Sequence, residues 1–123
     1  MVPRVLIVDD HAAFRSFAHR VLVADGLVVV GEAADGAAAI AAVPRLRPDV
    51  VLLDVGLPDM DGFAVAAVLD AQDEPPAVVL VSSRSRADYG SLVDASGAVG
   101  FVAKSALSGD AVRRLLTPGR DDA

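Results

Sequence analysis

The chain has 123 residues, 54% of them hydrophobic, no cysteine, and a formal net charge of −6. The length fits one domain, the lack of cysteine excludes disulfides and thiolate metal sites, and no apolar run approaches the roughly 20 residues of a membrane helix. Because phosphate contacts need clustered Lys and Arg, the acidic balance argues against nucleic-acid binding, and the composition as a whole favours a cytoplasmic protein.

Strand-like and helix-like patterns alternate along the chain. The apolar runs that predict strands cover residues 5–8, 27–31, 50–53, 77–82 and 99–104. The stretches with helical periodicity or helix-forming composition lie at residues 14–22, 35–43, 61–72, 89–93 and 112–116. This alternation predicts a parallel sheet, and the continuous apolar strands predict that helices cover both of its faces. We expect the second helix to end or kink at Pro44, because a proline inside a helix costs about 3 kcal/mol or more.

Polar side chains stand at the ends of four of the predicted strands. Asp9 and Asp10 end the first strand and Asp54 ends the third. Ser82 ends the fourth, and Lys104, the only lysine of the chain, ends the fifth. In an open α/β sheet, ligands bind beyond the carboxyl ends of the strands, where the strand order reverses. If the first and third strands are neighbours, three carboxylates face one another at that place.

Three adjacent carboxylates need a compensating charge or a proton. Two unit charges 4 Å apart repel by about 4 kcal/mol at an effective dielectric constant near 20. A hard cation with oxygen ligands, magnesium (Mg²⁺), fits such a site best. One carboxylate is then free to attack a phosphoryl group and form an aspartyl phosphate. Mg²⁺, Lys104 and the Ser82 hydroxyl would each neutralise or hydrogen-bond one phosphoryl oxygen.

Each of these residues alone has a simpler interpretation. Asp9 and Ser82 are residue types that commonly cap helices or form turns, and a lysine at a strand end is usually exposed. The combination favours a site, because four separate strands bring complementary groups to one edge of the sheet. His11 follows the acidic pair, but Mg²⁺ prefers oxygen ligands, so we interpret His11 as the start of the first helix.

The sequence resembles the receiver domains of two-component response regulators over about residues 3–117. Four motifs in the family's order carry the resemblance, namely VLIVDDH, VVLLDVGLPDMDG, VVLVSS and GFVAK. The resemblance implies an α/β, flavodoxin-like (βα)5 fold, a three-layer sandwich whose parallel sheet has the strand order 2-1-3-4-5. We expect the receiver domain to occupy residues 1–117 and a polar tail to occupy residues 118–123.

The resemblance also implies a phosphoacceptor and a metal site. Asp54 would accept the phosphoryl group and also contact Mg²⁺. Asp10 would bind the metal directly, Asp9 mostly through water, and the backbone carbonyl of Gly56 would be a further ligand. A receiver catalyses only its own phosphorylation and dephosphorylation, so the resemblance does not imply an enzyme that acts on other substrates.

Ser82 and Lys104 would hold the phosphoryl oxygens in this interpretation. Phe101 would be the switch aromatic, which turns inward when the Ser82 hydroxyl moves to the phosphate. Ser105 follows Lys104 where much of the family has proline after a cis peptide. A cis bond before a non-proline residue costs about 2.5–4 kcal/mol. The Lys104–Ser105 bond is therefore either trans or held in cis by the site.

The resemblance makes a histidine kinase or a phosphotransfer protein the phosphoryl donor. The output would be a protein–protein contact with an unknown downstream target, made by the fourth helix, the fifth strand and the fifth helix. The motif VDDHAAFR most resembles receivers that precede a helix-turn-helix DNA-binding domain. We expect a stand-alone receiver without direct nucleic-acid or membrane binding, or a receiver cut from a longer protein. A homodimer is left open.

Two other classes of function have related sequence features. Phosphatases and mutases of the haloacid dehalogenase type also phosphorylate an aspartate after a strand, but they need a second acid two residues later, where this chain has Gly56. The second alternative is a degenerate receiver that acts as a phosphorylation-independent binding module. Degenerate receivers usually lack one of the acids or the lysine, and none of these is missing here.

Overall fold

The computed structural model describes residues 2–116, which form a five-stranded α/β sandwich. The strands β1 to β5 are Arg4–Val8, Val28–Ala33, Val50–Asp54, Ala77–Ser82 and Gly100–Ala103. The helices α1 to α5 are Ala12–Ala24, Gly36–Leu46, Gly62–Asp70, Leu92–Ala95 and Gly109–Leu115. Short 3₁₀ turns cover Arg86–Tyr89 and Lys104–Ala106. The predicted polar tail at residues 118–123 lies outside the described residues.

All neighbouring strands are parallel, and their order is β2-β1-β3-β4-β5. This confirms the predicted fold and strand order. The first and third strands are neighbours, with Val5 opposite Val50 and Val8 opposite Leu53. The carboxyl ends of β1 and β3 therefore meet at one edge, where the chain passes to opposite sides of the sheet.

Successive residues of the central strands face opposite layers. Leu6 of β1 and Leu53 of β3 belong to a buried cluster with apolar residues of α2 and α3. Ile7 and Leu52 belong to a second cluster with residues of α1 and α5. All five residues of β3 are buried, because helices cover both faces of the sheet. The two clusters hold the strand ends in fixed positions at the site edge.

The second helix differs from the prediction, because it runs through Pro44 to Leu46. Asp35 caps its start, accepting a hydrogen bond from the Ala38 N–H at 2.7 Å. Arg47 ends it in the left-handed region, with a φ of 52°, and its N–H donates to the Val43 carbonyl. Since Pro44 lies in the last turn, only two helical residues follow the hydrogen bond that it lacks. The helix was predicted to end or kink at Pro44; an end there is wrong, and a kink stays a prediction.

The apolar stripe at residues 89–93 does not form one helix. Tyr89 closes a 3₁₀ turn, and Gly90, with a φ of 58°, separates it from the short helix α4. A positive φ interrupts helical geometry, so the two segments do not continue as one helix. The structure contains no cis peptide bond within its described residues, and the Lys104–Ser105 bond is trans.

None of the helices within residues 2–116 is long and apolar enough to cross a membrane.

Candidate functional site

Acidic side chains from β1 and β3 converge at the carboxyl edge of the sheet. One ligand atom from each of Asp9, Asp10, His11 and Asp54 lies within 4.8 Å of the others. The Lys104 ammonium, which follows β5, lies 2.6 Å from Asp9 Oδ2 and 3.6 Å from Asp54 Oδ1. The structure thus brings together the three predicted carboxylates and the predicted lysine.

Asp9 is the most deeply buried member of this cluster, with 0% of its surface exposed. Its backbone N–H continues the β1 ladder by donating to the Ala33 carbonyl at 3.0 Å. Its Oδ1 accepts a 2.8 Å hydrogen bond from the His11 N–H, and this i to i+2 contact forms the turn that leads into α1. His11 is the N-cap residue of α1, as the sequence predicted.

Asp9 Oδ2 has no hydrogen-bond donor among the described residues. Its contact in the described structure is an ion pair with Lys104 Nζ at 2.6 Å. Buried carboxylate oxygens normally accept hydrogen bonds or contact cations. A buried acceptor of this kind, beside two other carboxylates, fits a hard cation such as Mg²⁺, which takes oxygen ligands. The His11 nitrogen is a less suitable ligand for that ion.

Asp54, the last residue of β3, is 5% exposed. Burial raises its pKa above the ordinary value, and the Asp9 and Asp10 carboxylates raise it further. The Lys104 ammonium and a hydrogen bond from the Gly56 backbone oppose this shift. The free protein therefore holds the Asp54 carboxylate in an unfavourable environment, which an added cation or the loss of its charge would relieve.

Lys104 is held against the acids by its surroundings. It begins the 3₁₀ turn after β5, and its ammonium lies 4.5 Å from the centre of the Phe14 ring. This ring belongs to α1 and packs against the same buried cluster as Val102 of β5. A cation over an aromatic face is stabilised by the ring quadrupole. Phe14 therefore helps keep the ammonium close to Asp9 and Asp54.

The segment between β3 and α3 brings glycine and aspartate next to the cluster. Gly56 is exposed and pairs with Asp61 in an isolated antiparallel bridge. A Cβ on Gly62 would lie 2.5 Å from the Asp54 carbonyl oxygen, so only glycine fits there. Asp59 accepts hydrogen bonds from the N–H groups of Gly36 and Ala37 at 2.8 and 3.0 Å. This fixes the segment to the start of α2.

Ser82 lies at the same edge of the sheet. Its hydroxyl is hydrogen-bonded to Tyr89, which was not among the predicted site residues. Its Oγ accepts the Arg84 N–H at 3.0 Å and shares a 2.6 Å hydrogen bond with the Tyr89 hydroxyl. Phe101 is half-buried, and its ring centre lies 5.9 Å from that of Tyr89. The feature of the sequence that could have indicated Tyr89 is its phenol group, because a phenol needs a hydrogen-bond partner when its ring is partly buried.

A parallel sheet of this order, with an acidic cluster and a lysine at its carboxyl edge, defines a receiver-like α/β protein. Sequence comparison agrees, because the profile of the response regulator receiver domain matches residues 5–115. The chain belongs to the response regulator receiver domain family. This confirms the resemblance that the four sequence motifs indicated.

Two curated relatives and two solved structures illustrate this similarity. Protein-glutamate methylesterase/protein-glutamine glutaminase 6 of Anaeromyxobacter dehalogenans is 48% identical over 120 residues, which cover 97% of this chain and 32% of that protein. The regulatory protein NarL of Mycobacterium tuberculosis is 40% identical over 121 residues, covering 96% and 56%. The chain thus spans about a third to somewhat over half of the length of these relatives.

The solved signal receiver domain of NarL from Mycobacterium tuberculosis superposes with a TM-score of 0.83 at 39% identity, covering 94% of both chains. The response regulator domain of CheB from Thermotoga maritima gives a TM-score of 0.82 at 25% identity, covering 94% of this chain and 95% of that one. The methylesterase and glutaminase activities named above are those of the longer proteins, of which this chain matches only the receiver part.

Proposed function

We propose that this receiver accepts a phosphoryl group on Asp54 in a reaction that depends on Mg²⁺. The donor is a histidine kinase or a phosphotransfer protein. The observation that carries the proposal is the environment of Asp54, a buried carboxylate with a raised pKa beside two further acids and one ammonium. Strongly perturbed carboxyl groups of this kind are typical of functional sites.

The oxygen atoms of Asp9, Asp10 and Asp54, together with the Gly56 carbonyl, would hold Mg²⁺. When bound, this ion offsets the mutual repulsion of the carboxylates and the negative charge of a phosphoryl group. Asp9 is buried and Asp10 is exposed, which suits the expectation that Asp10 binds the ion directly and Asp9 mostly through water. The Asp9 Oδ2 atom, which is buried and is contacted by the Lys104 ammonium at 2.6 Å, supports the assignment because it already attracts a cation.

The transfer itself is a substitution at phosphorus. An Asp54 oxygen attacks the phosphorus atom of a phosphohistidine, the P–N bond breaks, and the departing imidazole takes up a proton. Lys104 remains close enough to Asp54 to neutralise charge on a phosphoryl oxygen. The Ser82 hydroxyl donates to another oxygen. The signal ends by hydrolysis. Water attacks the phosphorus atom, the bond between phosphorus and the Asp54 oxygen breaks, and inorganic phosphate leaves.

The proposed output is a change in a protein-contact surface around α4 and β5. Leu92 on α4 is 53% exposed and Val99, just before β5, is 45% exposed. Apolar side chains at these positions would gain stability from contact with a partner. Phosphorylation would shift an existing balance between two arrangements of this face. A phosphorylation-independent binding module is less well supported, because the acids and the lysine of the site are all present and close together.

The test is incubation with Mg²⁺ and acetyl phosphate, followed by mass spectrometry of the intact protein. We expect the mass to increase by one phosphoryl group. The increase should disappear in Asp54→Asn and when Mg²⁺ is chelated, because the attacking carboxylate oxygen or the compensating cation is then missing.

Asp73→Asn is the matched control, since it makes the same chemical change at an exposed aspartate between α3 and β4, at the opposite end of the sheet. This variant should be phosphorylated as the unaltered protein is. Modification that persists in Asp54→Asn would reject Asp54 as the acceptor. Absence of modification in the unaltered protein, under conditions that phosphorylate another receiver, would favour the binding-module alternative.

A further inference from the structure

The Ser82 hydroxyl is linked to an aromatic cluster on one side of the sheet. Tyr89, the only tyrosine of the chain, lies 2.6 Å from Ser82 through its hydroxyl. Its ring centre lies 5.4 Å from that of Phe63 on α3, in an edge-to-face arrangement, and 5.9 Å from that of Phe101 on β5. Tyr89 therefore links Ser82, at the site, to the helix α3 and the strand β5.

The hydrogen bonds of Ser82 limit where its single proton can go. Its Oγ already accepts the N–H of Arg84 at 3.0 Å. A hydroxyl has one proton to donate and two positions at which to accept. A phosphoryl group on Asp54 offers only acceptors, so Ser82 must donate its proton to that group. The proton between Ser82 and Tyr89 must then come from Tyr89.

A phenol is well suited to this direction of donation. Phenols release a proton more readily than aliphatic alcohols, and they are accordingly the better donors. With Tyr89 donating, the Ser82 oxygen accepts twice, and its own proton stays free. Hydrogen bonds arranged in such a chain strengthen one another.

We propose that Tyr89 is a positioning residue for the phosphoryl group: its hydroxyl donates to Ser82 and so directs the Ser82 proton toward a phosphoryl oxygen on Asp54. This inference rests on the proposed function, because it assumes that Asp54 carries the phosphoryl group. Phe101 has no hydroxyl and makes ring contact with Tyr89, so its position responds to Ser82 through Tyr89. The aromatic cluster thereby connects the site to α3 and β5.

The first test compares the binding of beryllofluoride, a phosphoryl mimic, in the presence of Mg²⁺. Tyr89→Phe removes one oxygen atom and keeps the ring in its packing with Phe63 and Phe101. We expect its affinity, measured by fluorine NMR titration, to be weaker by about three- to tenfold, as the loss of one hydrogen bond predicts. In a Ser82→Ala background, Tyr89→Phe should cause no further loss, because the connecting hydroxyl is already absent.

The second test needs neither metal nor phosphoryl mimic. Because the chain has one tyrosine and no tryptophan, its near-ultraviolet absorption reports on Tyr89. In Ser82→Ala the phenol loses its acceptor, and we expect the absorption band to move to shorter wavelength. Ser83→Ala, at the exposed neighbouring serine, is the control and should leave the band in place.

Several results would overturn the inference. An affinity of Tyr89→Phe equal to or higher than that of the unaltered protein would contradict it. So would an equal loss in both backgrounds, which would indicate a role that does not pass through Ser82. An unchanged absorption band in Ser82→Ala would show that Tyr89 does not donate to Ser82. Failure of the unaltered protein to bind beryllofluoride would reject the proposed function together with this inference, whereas the other results would reject the inference alone.

Discussion

At the scale of single residues, the ion pair between Asp9 and Lys104 offsets part of the negative charge of the buried carboxylates. Asp9 is fully buried, and the side chain of Lys104 is 18% exposed. Removing one partner of such a pair leaves the other charge in a poor environment, and that cost exceeds what the pair itself contributes. Lys104 also lies close to Asp54, so its charge stabilises two carboxylates at once.

We therefore predict that Lys104→Met lowers the free energy of unfolding in metal-free buffer by about 1–3 kcal/mol. Mg²⁺ should restore part of the loss, because it supplies positive charge to the same carboxylates. Urea denaturation with and without Mg²⁺ measures both effects. Arg84→Met, which removes an exposed cation, should change stability by less than about 0.5 kcal/mol. Equal losses in the two variants would contradict this account.

The strand-end residues could be predicted from sequence, whereas the partner of Ser82 could not. Asp54 and Lys104 follow apolar runs whose length and composition predict strands, and parallel strands bring their ends to one edge. Tyr89 is the last residue of a 3₁₀ turn, and Gly90, with a positive φ, separates it from α4. Hydrophobic periodicity does not determine the path of such a segment, so it placed Tyr89 on the apolar stripe of a helix.

At the scale of elements, the start of α3 lies directly against the end of β3. The Gly62 N–H donates to the Val55 carbonyl at 2.8 Å. A Cβ on Gly62 would meet the Asp54 carbonyl oxygen at 2.5 Å and the Val55 Cα at 2.6 Å. These are backbone atoms of the site, so they cannot move without displacing Asp54. Around Gly56, in contrast, a Cβ would meet no atom within 4 Å.

We predict that Gly62→Ala lowers the free energy of unfolding by about 1–3 kcal/mol, because the added methyl group overpacks this contact. It should also slow the phosphorylation of Asp54. Gly56→Ala should fold with a stability within about 0.5 kcal/mol of the unaltered protein. Thermal denaturation and the mass assay above measure both properties. A Gly62→Ala protein with normal stability and normal phosphorylation would refute the close-contact argument.

Helix ends were harder to predict than the helices themselves. The alanine-rich segment from Asp35 predicted α2 correctly, but Pro44 did not stop it. A proline interferes with the turn that precedes it, and near the carboxyl end of a helix few further hydrogen bonds depend on that turn. The left-handed conformation of Arg47 ends the helix instead, and a non-glycine residue in that conformation carries no clear sequence signal.

At the scale of the whole molecule, two aspartates make opposite contributions to the pH dependence of stability. The pKa of Asp54 is raised, chiefly by burial, so the fold is favoured when this group is protonated. That contribution is lost as the pH rises through the raised pKa. The pKa of Asp59 is lowered by the backbone N–H groups of Gly36 and Ala37. Its contribution is present near neutral pH and is lost as the pH falls through the lowered pKa.

We predict that Asp54→Asn is more stable than the unaltered protein at pH 7 in metal-free buffer. The difference should shrink as the pH falls, because protonation then removes the same charge. Asp59→Asn should be less stable at pH 7, and its difference should also shrink toward acid pH. Urea denaturation between pH 7 and pH 3 measures the four curves, with Asp73→Asn as the control. A destabilised Asp54→Asn at pH 7 would contradict the burial argument.

The parallel sheet and its covering layers followed from the alternation of patterns, but the strand order did not. Nothing local in Val5–Val8 or Val50–Leu53 identifies the neighbouring strand, since the two are more than 40 residues apart. The resemblance of four motifs to receiver domains implied the strand order 2-1-3-4-5, and the structure confirms it. Long-range pairing depends on the packing of all layers together, which single segments do not encode.

Asp54 lies below the molecular surface, whereas Asp10 and Gly56 beside it are exposed. On the proposed function, a donor would have to bring its phosphorus atom past these exposed residues to a buried carboxylate. A small acyl phosphate, or an imidazole on the convex surface of a helix, would reach that carboxylate more readily than a flat protein face. The proposed reaction would then select its donors by shape.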